Sequence, residues 1–266
     1  MFNASIYSYT TASTVQLTGD ESNKQVVSIQ GLAPVPATIN TSVAAGIDGA
    51  RFNSSRLEPR NIVILLHLTN PLTTRQALEN ALPTKGRVTF RYTTGSRSVE
   101  IDGYIDSWEC DLFSIAEMVQ ISIICPDPYF RAQTQISKTL AVSGETDLGA
   151  TSSIDNGVTI IATITGSHVN AITIANITDR RSPYVKIVDS FQVGDIVTIV
   201  TKRGEKSVTR TRSTTTTNIF SLVDPASTFF QVSAAHDSLS YMVNNDASYN
   251  GSATVVVKYN DLYAGV

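Results

Sequence analysis

Five carboxylates fall within one stretch, Val99–Leu112: Glu100, Asp102, Asp106, Glu109 and Asp111. Paired carboxylates can hydrolyse glycosides when one is held protonated and the other ionised. Here they stand at mixed spacing around Trp108, and nothing nearby sets one member against another, so they read as the polar outer face of a strand. The three histidines, His67, His168 and His236, are scattered and lie outside any HExxH or CxxC context. No GxSxG, GxxxxGK[ST] or GxGxxG motif occurs. No catalytic residue, cofactor or metal is therefore assigned. Two cysteines, Cys110 and Cys125, cannot make a disulfide framework in a chain of 266 residues. Both fall in strand-like segments and are expected as buried free thiols, suited to a reducing place of synthesis, with a cross-strand bridge as the alternative.

A different chemistry is concentrated in Gly46–Leu68, GIDGARFNSSRLEPRNIVILLHL. Arg51, Arg56 and Arg60 can fork hydrogen bonds to carboxylates or chain carbonyls of a neighbour, and Phe52 supplies an aromatic anchor. The plain alternative is a solvated surface loop. Asn53-Ser54-Ser55 reads as a polar turn, and Ile62–Leu68 as a fully buried strand.

The elements around this stretch are mostly strands. Hydrophobic residues make up 42% of the chain and charged residues only 16%, with Ser and Thr filling the balance, a trade suited to strands and turns. Alternation marks strands at Ser5–Tyr9, Thr14–Leu17, Gln25–Leu32, Val88–Tyr92, Ser98–Leu112 and Met118–Ile124, the two beginning at Val88 and Ser98 forming a hairpin. Leu32–Val43, with Pro34 and Pro36, suits an edge or a loop. Asn70-Pro71 opens one helix, with Ala77, Leu78, Ala81 and Leu82 as its apolar stripe and Pro83 as its stop. From Gln133 to Gly157 the chain turns polar and glycine-spaced, which marks a junction between domains spanning 1–135 and 136–266. Strands then recur at Thr159–Thr165, Ala171–Ile177, Tyr184–Val188, Asp195–Thr201, Lys206–Thr211, Ile219–Val223, Ser238–Val243 and Ala253–Tyr259, a pattern of an antiparallel sandwich or jelly roll.

A net charge of −3 and a pI near 5.6 give no electrostatic case for nucleic acid or an anionic membrane. The longest apolar run is too short to span a bilayer, and the N-terminal residues do not read as a secretory signal. Sandwiches often bind sugars on an exposed aromatic with amide side chains beside it. Tyr241 and Tyr249, with Asn244 close in sequence, are the candidates for such a site.

Taken together, GIDGARFNSSRLEPRNIVILLHL, NPLTTRQALENALP, RVTFRY, VEIDGYIDSWECDLFSIAEMVQISIICPDPYF and the later PASTFFQVSAAHDSLSYMV and ATVVVKYNDLYAGV resemble the distal tail proteins of siphophage-type tails. The resemblance covers most of the chain in order. It implies a mainly β protein, with an N-terminal split β-barrel carrying one helix and a C-terminal galectin-like sandwich. It implies a structural virion protein at the distal end of the tail, with six copies closed into a ring through which DNA passes without specific binding. The implied partners are the tail tube protein, the tail-tip hub protein, and receptor-binding proteins or a host saccharide on the outer domain. Arg51, Phe52, Arg56 and Arg60 suit the heterologous contacts of such a ring. A carbohydrate-binding module or adhesin is the competing function.

Overall fold

In a computed structural model of the protein, all residues are described except 1, 20–22, 47, 96, 111–116, 142–143 and 245–251. The fold is mainly β, with one α-helix among the described residues. Two compact units divide the chain: 1–133 together with 263–266, and 134–262.

In the first unit the strands are β1 (Asn3–Ser8), β2 (Ser13–Gln16), β3 (Lys24–Gln30), β4 (Ala37–Ser42), β5 (Arg51–Leu57), β6 (Arg60–Leu68), β7 (Arg87–Thr94), β8 (Arg97–Cys110), β9 (Met118–Cys125) and β10 (Phe130–Ala132), with α1 (Pro71–Ala81) after β6. The main sheet runs β2-β1-β7-β8-β9-β6-β3, with β10 added on β8. Its strands β1 to β3 and β6 to β10 pair antiparallel. The sheet is open: its path ends at β2 and β3, and no barrel closes among the described residues. β6 alternates where a fully buried strand was expected. Ile62, Ile64, Leu66 and Leu68 enter the core, whereas Val63, Leu65 and His67 are only half-buried. One face of the sheet thus supplies the core, together with Ile6, Phe90, Ile101, Ile121 and Phe130. Helix α1 adds Leu78, and Leu82 beyond it, to that core. Asn70 stands at the helix start without a capping side-chain hydrogen bond, and Pro71 occupies the first turn, where its missing N–H costs nothing.

The second unit holds β11 (Ile136–Thr139), β12 (Thr146–Asp147), β13 (Thr159–Ile164), β14 (Val169–Asn176), β15 (Tyr184–Phe191), β16 (Ile196–Val200), β17 (Ser207–Arg212), β18 (Thr215–Asn218), β19 (Ser238–Val243) and β20 (Ala253–Tyr259). They form two sheets, β11-β20-β13-β16-β17-β18 and β12-β19-β14-β15. Ile160, Val197 and Val255 from one sheet and Ile172, Val185 and Leu239 from the other share a single core, the arrangement of an antiparallel sandwich. Ile219–Val223, expected as a strand, instead holds a 3₁₀ turn at Phe220–Leu222. Its start is fixed by the Asn218 side chain, whose Oδ1 accepts the Phe220 N–H at 2.9 Å. After the sandwich, β21 (Leu262–Tyr263) pairs with β10, and residues 263–266 belong to the first unit.

Candidate assembly interface

Among the described residues, strands β4 and β5 pair only with each other, outside the main sheets. The expected turn at Asn53–Ser55 is absent, since all three residues lie inside β5 and Asn40 faces Ser54. Side chains reinforce the ladder: Asn40 Nδ2 donates to Ser54 Oγ at 3.0 Å and Ser42 Oγ to Asn53 Oδ1 at 3.3 Å. Near the root, Thr38 donates to Glu58, which also lies 3.6 Å from Arg56 Nε. The result is a two-stranded arm with every residue of β5 exposed.

The arm is two-faced because of one extra residue. A register shift between Asn40 and Thr41 leaves Asn53 as an additional residue in β5, and alternation restarts after it. Phe52 therefore sits opposite Thr41, on the side of Ile39 and Leu57, while Arg51 and Arg56 sit opposite Ser42 and Thr38. Ile39, Phe52 and Val43 keep 62%, 60% and 77% of their surface exposed. A lone hairpin is marginally stable in water, and an apolar side held open on one is an invitation to a partner. The sequence pointed to the arginines and Phe52 and overlooked Ile39, Val43 and Leu57. Alternation in ATINTSV was the available signal, and the flanking prolines obscured it.

Arg60 stands apart from this group. It begins β6, is 0% exposed, and turns its guanidinium into the protein. Nε donates to Pro128 O at 2.8 Å, one Nη to Ala33 O at 2.7 Å and to Gly31 O, and the other Nη to Ala264 O. The guanidinium carbon lies 4.4 Å from the centre of the Phe130 ring. Four of its five N–H groups are committed within its own unit, and the side chain lies off the exposed surface of the arm.

Two of the β8 carboxylates, Glu100 and Asp102, are also held internally, and Asp111 lies outside the described residues. Arg131 on β10 spans Glu100 and Asp102, with Nε 2.8 Å from Glu100 Oε1 and its terminal nitrogens 2.9 and 3.1 Å from the two oxygens of Asp102. Arg91 reaches Glu100 at 3.2 Å and Arg87 reaches Asp102 at 3.4 Å. Burial pushes the Asp102 carboxyl up, but hydrogen bonds from Arg131 and Thr89 and the charges of Arg131 and Arg87 hold it below the usual carboxylate range. A carboxylate so clamped is an ion-pair partner and not a proton donor at neutral pH. Cys110 and Cys125 are free thiols, the first half-buried and the second buried. Burial pushes the Cys125 thiol up to about 12, against the opposing charge of Arg60.

In the sandwich, the glycan candidates prove to be internal. Tyr241 is 5% exposed and its hydroxyl donates to Ala253 O at 2.8 Å. Asn244 is 6% exposed, with Oδ1 accepting the Asn170 N–H at 2.7 Å and Nδ2 donating to His168 O at 2.8 Å. Tyr241 ties β19 to the first residue of β20, and Asn244 ties the end of β19 to the start of β14. Tyr249 lies outside the described residues.

No family model and no curated protein matches the sequence. Among solved structures, the phage SPP1 Dit (gp 19.1) protein aligns over 99% of this chain and 99% of its own, with a TM-score of 0.73 and 14% identity. This chain has the Dit fold. Chains of the phage p2 baseplate, solved in its activated conformation with Sr and with Ca, are 12% identical. Each covers 97% of this chain and 98% of its own, with TM-scores of 0.53 and 0.50. SPP1 Dit is described as a paradigm of the hub adsorption apparatus in phages infecting Gram-positive hosts. The likeness to Dit covers residues of both units.

Proposed function

We propose that this protein is a structural virion component, a ring-forming hub at the distal end of a phage tail. It joins the tail tube to the tail-tip and host-adsorption apparatus. The observation that carries the reading is the end-to-end fold likeness to SPP1 Dit, over 99% of both chains. The exposed two-faced arm supports it, because a closed ring needs a different patch on each side of every subunit and a projecting hairpin supplies one of them. Phe52 and Ile39 are the apolar anchors of that contact, and Arg51 and Arg56 are its forked donors. A net charge of −3 suits a lumen along which DNA slides without adhering. The role is mechanical and needs no reacting group.

The test is the mass in solution by light scattering, with negative-stain images of the same sample. A ring of six copies gives a mass near six times 28.7 kDa and a central hole. A protein that stays monomeric both alone and when mixed with purified tail tubes would overturn the reading.

A further inference from the structure

The direction of the arm is set at its root, and the residues that fix the root come from the far end of the sequence. The chain enters the arm through Gly31–Pro36 and leaves it through Glu58-Pro59. Two of the carbonyls that Arg60 binds, Gly31 and Ala33, belong to the entry segment, and a third belongs to Ala264, 204 positions away. Val266 N donates to Leu32 O at 3.0 Å. Gly265 lies so close to the entry segment that a Cβ there would come within 2.8 Å of Pro34 Cδ and 3.0 Å of Leu32 O. The last segment is itself held by Arg97, whose guanidinium sits 4.4 Å from the centre of the Tyr263 ring and whose Nη1 donates to Gly265 O at 3.4 Å. Gly31 has a φ of +85°, and a Cβ on it would overlap Asn61 O at 2.1 Å. The entry strand therefore approaches β6 as closely as only glycine permits.

We propose that Arg60 and residues 263–266 form a latch that fixes the direction of the arm. Among the described residues β4 and β5 pair only with each other, so what holds the entry segment sets where the ribbon's apolar side points. Ring closure requires a fixed angle between successive copies. The latch therefore makes assembly depend on four residues that follow the sandwich in sequence. This second step rests on the hub reading, whereas the latch itself is a property of the single chain.

Hydrogen exchange followed by mass spectrometry, on the full-length protein and two latch variants, tests it. Gly265→Ala pushes the segment off the entry strand, and Arg60→Lys cannot span the same carbonyls. Both are expected to speed exchange of amides in 31–37 and 57–58 by roughly tenfold or more, while amides of β6 to β9 keep their protection. Unchanged exchange at the root in Gly265→Ala, or an equal loss of protection across the core strands, would overturn the latch. Should Arg60→Lys fail to fold, the milder Gly265→Ala decides alone. Light scattering on the same samples separates the two readings. If the wild type forms a ring, Gly265→Ala shifts it toward monomer. If the wild type never assembles, the hub reading fails and the exchange result still decides the latch.

Discussion

At the scale of single residues, two titrating groups in the first unit give opposite limbs of a stability profile. Asp102 has its carboxyl held low by Arg131 and Thr89 against the burial that would raise it. Its stabilisation is complete above the unfolded carboxyl value of about 3.9 and disappears as pH falls through the folded value. Urea unfolding between pH 7 and pH 2 is expected to show a shallower acid limb in Asp102→Asn than in the wild type. Cys125 behaves in the other sense. Its folded value, about 12, lies above the unfolded value of about 8.5, so its contribution is present below pH ~8.5 and is lost as pH climbs toward 12. Cys125→Ala should flatten that alkaline limb, and the wild-type thiol should resist alkylation at pH 8 until the protein is unfolded. An alkylated Cys125 in folded protein would contradict the burial assigned to it.

At the scale of elements, the arm and its parent sheet differ in what holds them. β6 lies between β3 and β9 and contributes four buried aliphatic side chains, whereas β5 buries none. On the hub reading, substitutions on the arm are therefore expected to act on association and hardly on folding. Arg56→Glu and Phe52→Ala are each expected to weaken ring assembly by roughly tenfold or more in the protein concentration required. Their thermal unfolding as monomers should match the wild type within about 0.5 kcal/mol. Assembly at the wild-type concentration in both variants would remove the arm from the interface. The extra residue Asn53 offers a sharper test. Deleting it straightens the ladder and leaves Phe52 opposite Thr41, on the side of Ile39 and Leu57. Assembly is then expected at close to the wild-type concentration, and its loss would show that the bend at Asn53 itself shapes the contact.

At the scale of the whole molecule, each unit has its own core, but the chain crosses between them twice. A fragment of 134–262 contains both sheets of the sandwich and is expected to unfold cooperatively by itself. A fragment of 1–133 lacks the Ala264 carbonyl that Arg60 binds and leaves one guanidinium nitrogen without that partner. It should be less stable than the same unit within the full chain by about 1–3 kcal/mol. Denaturant titration of the two fragments beside the full chain measures the difference. Equal stability of 1–133 in both settings would mean that residues 263–266 contribute nothing.

Local patterning was enough to mark the mainly β class, helix α1 and most strand positions, because alternation, prolines and turn residues are signals written within a few residues of where they act. Val88–Tyr92 and Ser98–Leu112 were legible as a hairpin for that reason, and Ala253–Tyr259 as a strand. The same locality hid the arm. Leu32–Val43 read as an edge or loop because Pro34 and Pro36 outweighed the alternation of Ala37–Ser42, and Asn53–Ser55 has the composition of a turn while serving as a strand. Only the tertiary structure decided which arginines face outward. Arg51, Arg56 and Arg60 look alike in sequence, yet the first two stand on an open ribbon and the third is drawn under it by carbonyls of Gly31, Ala33, Pro128 and Ala264. Tyr241 and Asn244 likewise looked available beside a turn, until the fold gave the Tyr241 hydroxyl to a carbonyl of β20 and the Asn244 amide to the start of β14. A hydrogen-bonding side chain carries no mark of its partner when that partner is a backbone carbonyl, since every residue has one, so the choice is made by the fold.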